Sequence, residues 1–172
     1  ATDTGGTTFT SSVVTALEAT VDSGTVSVVK AANSQSSNVS LGATNVKFAS
    51  FELRAAGEDV KVESLDVNAN SSSDRGLDNG KVFLNGIQVG STKDLTDNGD
   101  IEFTFGSSFI LTAGATAVVD IYADAKSTTG AAFITGETVT VQLDIGSSNG
   151  QGQKSLSSIN VPTADVDGNP IT

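Results

Sequence analysis

The chain contains no cysteine, histidine, methionine or tryptophan, and only one tyrosine and two prolines among 172 residues. Without a thiolate or an imidazole, most nucleophilic triads, zinc sites and haem or iron–sulfur centres are excluded. The missing cysteines also remove any disulfide framework or CxxC motif that would mark a compartment. Positive charge is scarce: nine Lys and Arg stand against twenty Asp and Glu, a formal net charge of −11. Those nine are scattered singly, whereas nucleic-acid binding needs clustered cations to neutralise phosphates, so no nucleic-acid partner is expected. No run of about 18 apolar residues occurs, so no membrane span is expected. Together these absences argue against an enzyme, and nothing in the sequence requires a cofactor.

What the chain has instead is Ser, Thr and Gly, which make up 61 of its 172 residues. The length suits one compact domain with or without an appended segment. Residues Ala1 to Gly6 lack the basic and apolar regions of a signal peptide, which suits both a mature chain whose signal has gone and a module cut from a longer protein.

Short period-2 runs separated by Gly, Asn, Asp and Ser clusters predict an all-β chain, a two-sheet antiparallel β-sandwich of about seven to nine strands. Val26 and Val28 share one face of an early strand, and Asp22-Ser23-Gly24 reads as its turn from Leu17 to Val21. Along Asn45 to Ala55 the apolar phase switches from Val46/Phe48 to Phe51/Leu53, which a bulge near Ala49-Ser50 would reconcile. The same switch, between Val60/Val62 and Leu65/Val67, predicts a bend or a passage from one sheet to the other. Asn85-Gly86 predicts a two-residue type I′ hairpin pairing Leu84 with Ile87 and Val82 with Val89. Three further alternating sets follow: Ile101/Phe103/Phe105, Ala117/Val119/Ile121/Ala123 and Val139/Val141/Leu143/Ile145. Residues 146–155 read as a flexible loop or linker, with a final strand over Leu156 to Val161. Residues 1–23 form an extended segment outside the 24–172 sandwich. Phe9, Val13 and Leu17 fit a helix, but the odd-numbered face from Phe9 to Val21 and the abundance of Thr favour a strand.

Acidic clusters are the only candidates for chemistry. Asp94, Asp97 and Asp100 lie in one turn-like stretch, and Asp165, Asp167 and Asn169 in another. Hard Ca²⁺ takes six to eight oxygen ligands, which such turns can supply, so these six residues are the candidate metal ligands. A plain solvated turn explains the first group better than a metal site does, since Asp and Asn bond their own backbone there and such turns are common. The second starts like an EF-hand loop, but its glycine is fourth instead of sixth, so an EF-hand is excluded. A third group, Asp66, Asp74, Asp78 and Asn79, brackets the polar run Asn70 to Ser73. A glycosidase pair of carboxylates is conceivable. Sugar stacking, however, would fall to Tyr122 or to one of eight Phe residues that mostly sit at core-facing positions.

Gly24-Thr-Val-Ser-Val, Gly42-Ala-Thr-Asn-Val-Lys-Phe-Ala-Ser-Phe-Glu-Leu-Arg-Ala, Glu58-Asp-Val-Lys-Val-Glu-Ser-Leu-Asp-Val, Lys81-Val-Phe-Leu-Asn-Gly, Phe109-Ile-Leu-Thr-Ala-Gly and Ala117-Val-Val-Asp-Ile-Tyr-Ala-Asp-Ala follow one another in this order. Together they resemble the immunoglobulin-like modules of large bacterial cell-surface proteins, over roughly residues 24–145. The resemblance implies an immunoglobulin-like sandwich, an extracellular cell-surface location and no catalytic residues. Such modules are strung in tandem in surface layers, adhesins and fibres.

Two functions follow as expectations. One is a structural subunit that self-assembles with copies of itself into a layer or filament, residues 1–23 adding a strand in cis or to a neighbour and Ca²⁺ screening the charge. The other is an adhesin-like or carbohydrate-binding module whose partners are other surface proteins or glycans.

Overall fold

The computed structural model describes residues 23–73, 75–95, 99–126 and 132–172. Among them are thirteen strands: β1 (Thr25–Lys30), β2 (Val46–Ala56), β3 (Val60–Val62), β4 (Ser64–Ser71), β5 (Leu77–Leu84), β6 (Ile87–Leu95), β7 (Ile101–Thr104), β8 (Ile110–Leu111), β9 (Thr116–Asp124), β10 (Val139–Leu143), β11 (Gly150–Gly152), β12 (Ser158–Ile159) and β13 (Val166–Asp167). The all-β class is as expected. Eight strands have four residues or more, and the excess over the expected count comes from five of two or three residues (β3, β8, β11, β12 and β13).

The strands form three antiparallel sheets, ordered β1-β2-β9-β5-β6, β13-β10-β4-β7 and β12-β11-β3-β8. The predicted second layer is therefore divided. Its two sheets are joined where β3 runs into β4 with only Glu63 between them, which is the change of sheet read from the Val62/Leu65 phase switch. Glu63 stays saturated at this step: its N–H donates to Asn149 O at 2.7 Å and its carbonyl accepts from Phe105 N at 2.9 Å. Val60, Val62, Leu65 and Val67 are all fully buried in one core with Phe51, Leu53, Val119, Ile121 and Val141, so all three sheets share a single apolar interior.

The phase switch in β2 is a bulge, as expected, but it lies between Lys47 and Ala49. One extra residue bends the strand so that Phe48 and Phe51, on opposite phases, both reach the core. The β5–β6 hairpin has the predicted register, Leu84 opposite Ile87 and Val82 opposite Val89. Asn85 and Gly86 take φ of 49° and 83°, the left-handed pair that a type I′ turn demands. Ile145, expected to extend the buried face of β10, is 55% exposed because that strand stops at Leu143.

Residues 146–155 depart most from expectation. Instead of a linker they carry β11, which pairs with both β3 and β12. Buried Asn149 fixes the entry: its amide donates to Ser64 O and Val161 O at 2.8 and 2.6 Å and its Oδ1 accepts from Val161 N at 2.8 Å. Glycines at 150 and 152 then admit the strand where a side chain would crowd Val161 or collide with the Glu58 carboxylate. The proposed partner of β1, Leu17 to Val21, lies outside the described residues.

Replacing Gly86 by Ala puts a Cβ on a left-handed residue, with open space around it. The expected loss is about 1 kcal/mol, or roughly 2–4 °C in melting temperature. Thermal denaturation followed by far-UV circular dichroism checks it.

Candidate functional site

Neither of the two candidate acidic groups stays whole in the fold. Asp94, on β6, accepts Asn79 N–H at 2.9 Å, and the Asn79 amide donates to Asp124 Oδ2 at 2.7 Å. Asp124 also accepts Asn45 N–H at 2.6 Å, and that bond, ahead of its partner Asn79, holds its pKa below the ordinary carboxylate range. Asn45 and Asn79 both have positive φ, so these acids serve to saturate two strained backbone positions. Asp97 lies outside the described residues. Asn169 binds Lys30 Nζ through Oδ1 at 2.7 Å and donates to Ser34 O at 3.1 Å, tying the C-terminal segment to the end of β1.

Asp100, Asp165 and Asp167 go elsewhere, to the outer face of the β13-β10-β4-β7 sheet. The strands there bury Leu65, Val67, Ala69, Val141, Leu143 and Phe103, so by alternation the even-numbered residues of β4, β7 and β10 face outward, whereas on β13 Val166 packs on the core and Asp165 and Asp167 face outward. The register sets Gln142 opposite both Asp167 and Asn68, and Asp66 opposite Glu102. Continued by one residue at each strand end, it lays two rows across the sheet: Asp167, Gln142, Asn68, Asp100 and, beside them, Asp165, Asp144, Asp66, Glu102.

The first row is an amide-and-acid ladder. Gln142 donates to Asp167 Oδ1 at 2.7 Å and accepts from the Asn70 amide at 3.1 Å, and the Asn68 amide donates to Asp100 Oδ1 at 3.3 Å. The second row is four carboxylates, and none of the ion pairs among the described residues reaches them. Asp165 Oδ1 is occupied by Ile145 N–H at 2.7 Å. Asp144 is the hub. Burial pushes its pKa up to about 7, helped by a carboxyl hydrogen bond with Asp100 and by the charges of Asp100, Asp165 and Asp66. Asp66 is raised as well, first by burial and then by Glu102 and Asp100. Two buried side-chain oxygens, Asn68 Oδ1 and Asp144 Oδ2, have no hydrogen-bond partner.

The sequence reading misses Asp144 altogether and groups Asp66 with Asp74, Asp78 and Asn79 around the polar run Asn70 to Ser73. It also misses Glu58, which is 4% exposed and makes four hydrogen bonds. Oε1 accepts Gly24 N–H at 3.0 Å and the Ser155 hydroxyl at 2.5 Å, while Oε2 accepts Lys154 and Ser155 N–H at 2.6 and 2.9 Å. These bonds, the Ser155 hydroxyl foremost, hold its pKa down at about 2. A sugar platform finds little support: of the seven Phe described, six are buried, and half-buried Phe83 meets Tyr122 edge-on at 5.0 Å. A cleft of about 380 Å³ beside Leu41, Phe48, Leu77 and Phe133 is mainly apolar, and its Glu137 is already held by Ile134 N–H at 2.7 Å.

Two substitutions separate these acids. The stability that Glu58 supplies is full above its ordinary value of 4.5 and is lost as pH falls toward about 2. Glu58→Gln therefore lowers the melting temperature at pH 7 and flattens the acid limb between those values in melts recorded against pH. Asp144→Asn does the opposite at pH 7 in EDTA, because it removes a crowded negative charge. Its melting temperature rises by roughly 2–4 °C for each kcal/mol of repulsion relieved.

No protein-family model and no curated protein matches the chain. Among solved structures it is similar to the CooA pilin subunit from enterotoxigenic Escherichia coli, with 17% sequence identity over 86% of this chain and 97% of that one, and a TM-score of 0.31. So distant a likeness carries no argument about fold or function.

Proposed function

We propose that the chain is a non-enzymatic structural subunit of an extracellular surface layer or filament, joined to its neighbours by strand addition at the edge of β1. The observation that carries this reading is that edge. β1 pairs with β2 along all six of its residues, and no described residue hydrogen-bonds to its other side. Ala31 N–H donates to Ser50 O, so alternation turns the N–H groups of Val26 and Val28 outward. Among the described residues this ladder is open, and such an edge is a template for another extended chain. Residues 9–21, with their alternating apolar positions, supply a strand of suitable length and pattern, and a strand given to the next copy propagates head to tail. At −11 per subunit, close packing also calls for counter-ions. The half-hidden Phe83 and Tyr122 give the glycan-binding alternative nothing to set beside the open edge.

Light scattering and electron microscopy of the purified chain test this. Growth into particles or filaments is expected, lost on deletion of residues 1–21. Val28→Pro removes an outward N–H that the folded domain does not use, so it should leave the fold and abolish assembly. A wild-type chain that stays monomeric at high concentration, with or without millimolar Ca²⁺, overturns the reading.

A further inference from the structure

We propose that the outer face of β4, β7 and β10 binds one Ca²⁺, held by Asp66, Asp100 and Asp144 with the side-chain carbonyl of Asn68, and with Glu102 and Asp165 at the rim. The site is internal to one subunit and does not depend on the assembly reading.

Acidity alone would not single out this face, since the group around Asp94 and Asp124 is acidic too. There, Asn79 and Asn45 occupy the carboxylates. Here the centre holds bare oxygens. Asn68 is 7% exposed, its amide reaches Asp100, and its Oδ1 meets no donor. On the neighbouring strand Asp144 is half-buried, but its Oδ2 is shut off from solvent and has no hydrogen-bond partner. In the register Asn68 and Asp144 are diagonal neighbours, within about 7–8 Å along the backbone, so both oxygens can turn to a common point. A buried amide carbonyl without a donor costs stability, and one proton shared by Asp144 and Asp100 still leaves the Asn68 oxygen bare. A cation satisfies both atoms and removes the repulsion among the acids.

The donor set selects the ion. All the oxygens are hard, and with His and Cys absent from the chain no soft or borderline ligand competes. Among the described residues no three carboxylates yet converge as a closed set of ligands, so binding requires side chains to rotate inward. Ca²⁺ tolerates irregular shells of six to eight oxygens and mixes carboxylates with amide carbonyls and water, whereas Mg²⁺ demands a near-ideal octahedron. The exposed rim at Asp100, Glu102 and Asp165 leaves room for water ligands.

Calorimetric titration of CaCl₂ into the full chain in chelator-treated buffer at fixed ionic strength tests the site, with melting and light scattering on the same samples. One ion per chain is expected, with a melting temperature raised by roughly 5–10 °C at a hundredfold excess over the dissociation constant. Asn68→Ala and Asp144→Asn should each weaken binding at least about tenfold, and Asp94→Asn should not. Asp100→Asn, at the exposed rim, serves as a third variant if either central one fails to fold. Absence of saturable uptake, an equal shift with NaCl at matched ionic strength, or unchanged affinity in the folded variants overturns the site. Uptake by a chain that stays monomeric supports it while counting against the assembly reading, and assembly without uptake does the reverse.

Discussion

Everything in this domain depends on the chain changing sheet at Glu63. A strand has a period of two, so one run of alternating residues can serve only one buried face. Val60 and Val62 point into the core from one sheet, and Leu65 and Val67 do so from the next, which requires a single odd step between them. That step is tolerable only because the backbone of Glu63 finds partners on both sides, Asn149 and Phe105. The divided layer, the shared core and the outward parity of β4 all follow from it.

The outward parity is what creates the acidic face. Once Leu65, Val67 and Ala69 are committed to the interior, Asp66 and Asn68 must look out, and pairing with β7 and β10 brings Glu102, Asp100 and Asp144 beside them. Cross-strand neighbours sit about 5 Å apart, so like charges there repel instead of being diluted by solvent. The repulsion is the by-product of a core satisfied on the other side of the same strands. Glu58 shows the contrast: it is less exposed to solvent than half-buried Asp144, yet four donors make it a strong acid where Asp144 is a weak one.

Local features were legible in the sequence and assembled ones were not. The Asn85-Gly86 hairpin, the β2 bulge and the change of sheet are each written in a few adjacent residues, because turn chemistry and apolar phase are local properties. The acidic hub joins residues 66, 100, 144 and 165, which share no spacing, so only strand order reveals it. Proximity in sequence pointed the other way, grouping Asp94 with Asp100, which the fold sends to different sheets. Residues 146–155 misled for a further reason. Gly, Ser, Asn and Gln are the composition of a linker, but here Asn149 replaces ladder hydrogen bonds and the glycines make room for neighbours.

The Glu58 clamp also determines where mechanical load enters. Tension drawn through residues 1–22 arrives at Gly24, whose N–H is held by Glu58, and Glu58 is anchored in turn to Lys154 and Ser155, 96 and 97 residues farther along. Beyond that bond the force meets β1, and a pull along its axis loads the whole six-residue ladder with β2 in shear, all rungs at once. Under such a pull the carboxylate would act as a strain relief, passing traction from β1 to the segment at Lys154 and Ser155.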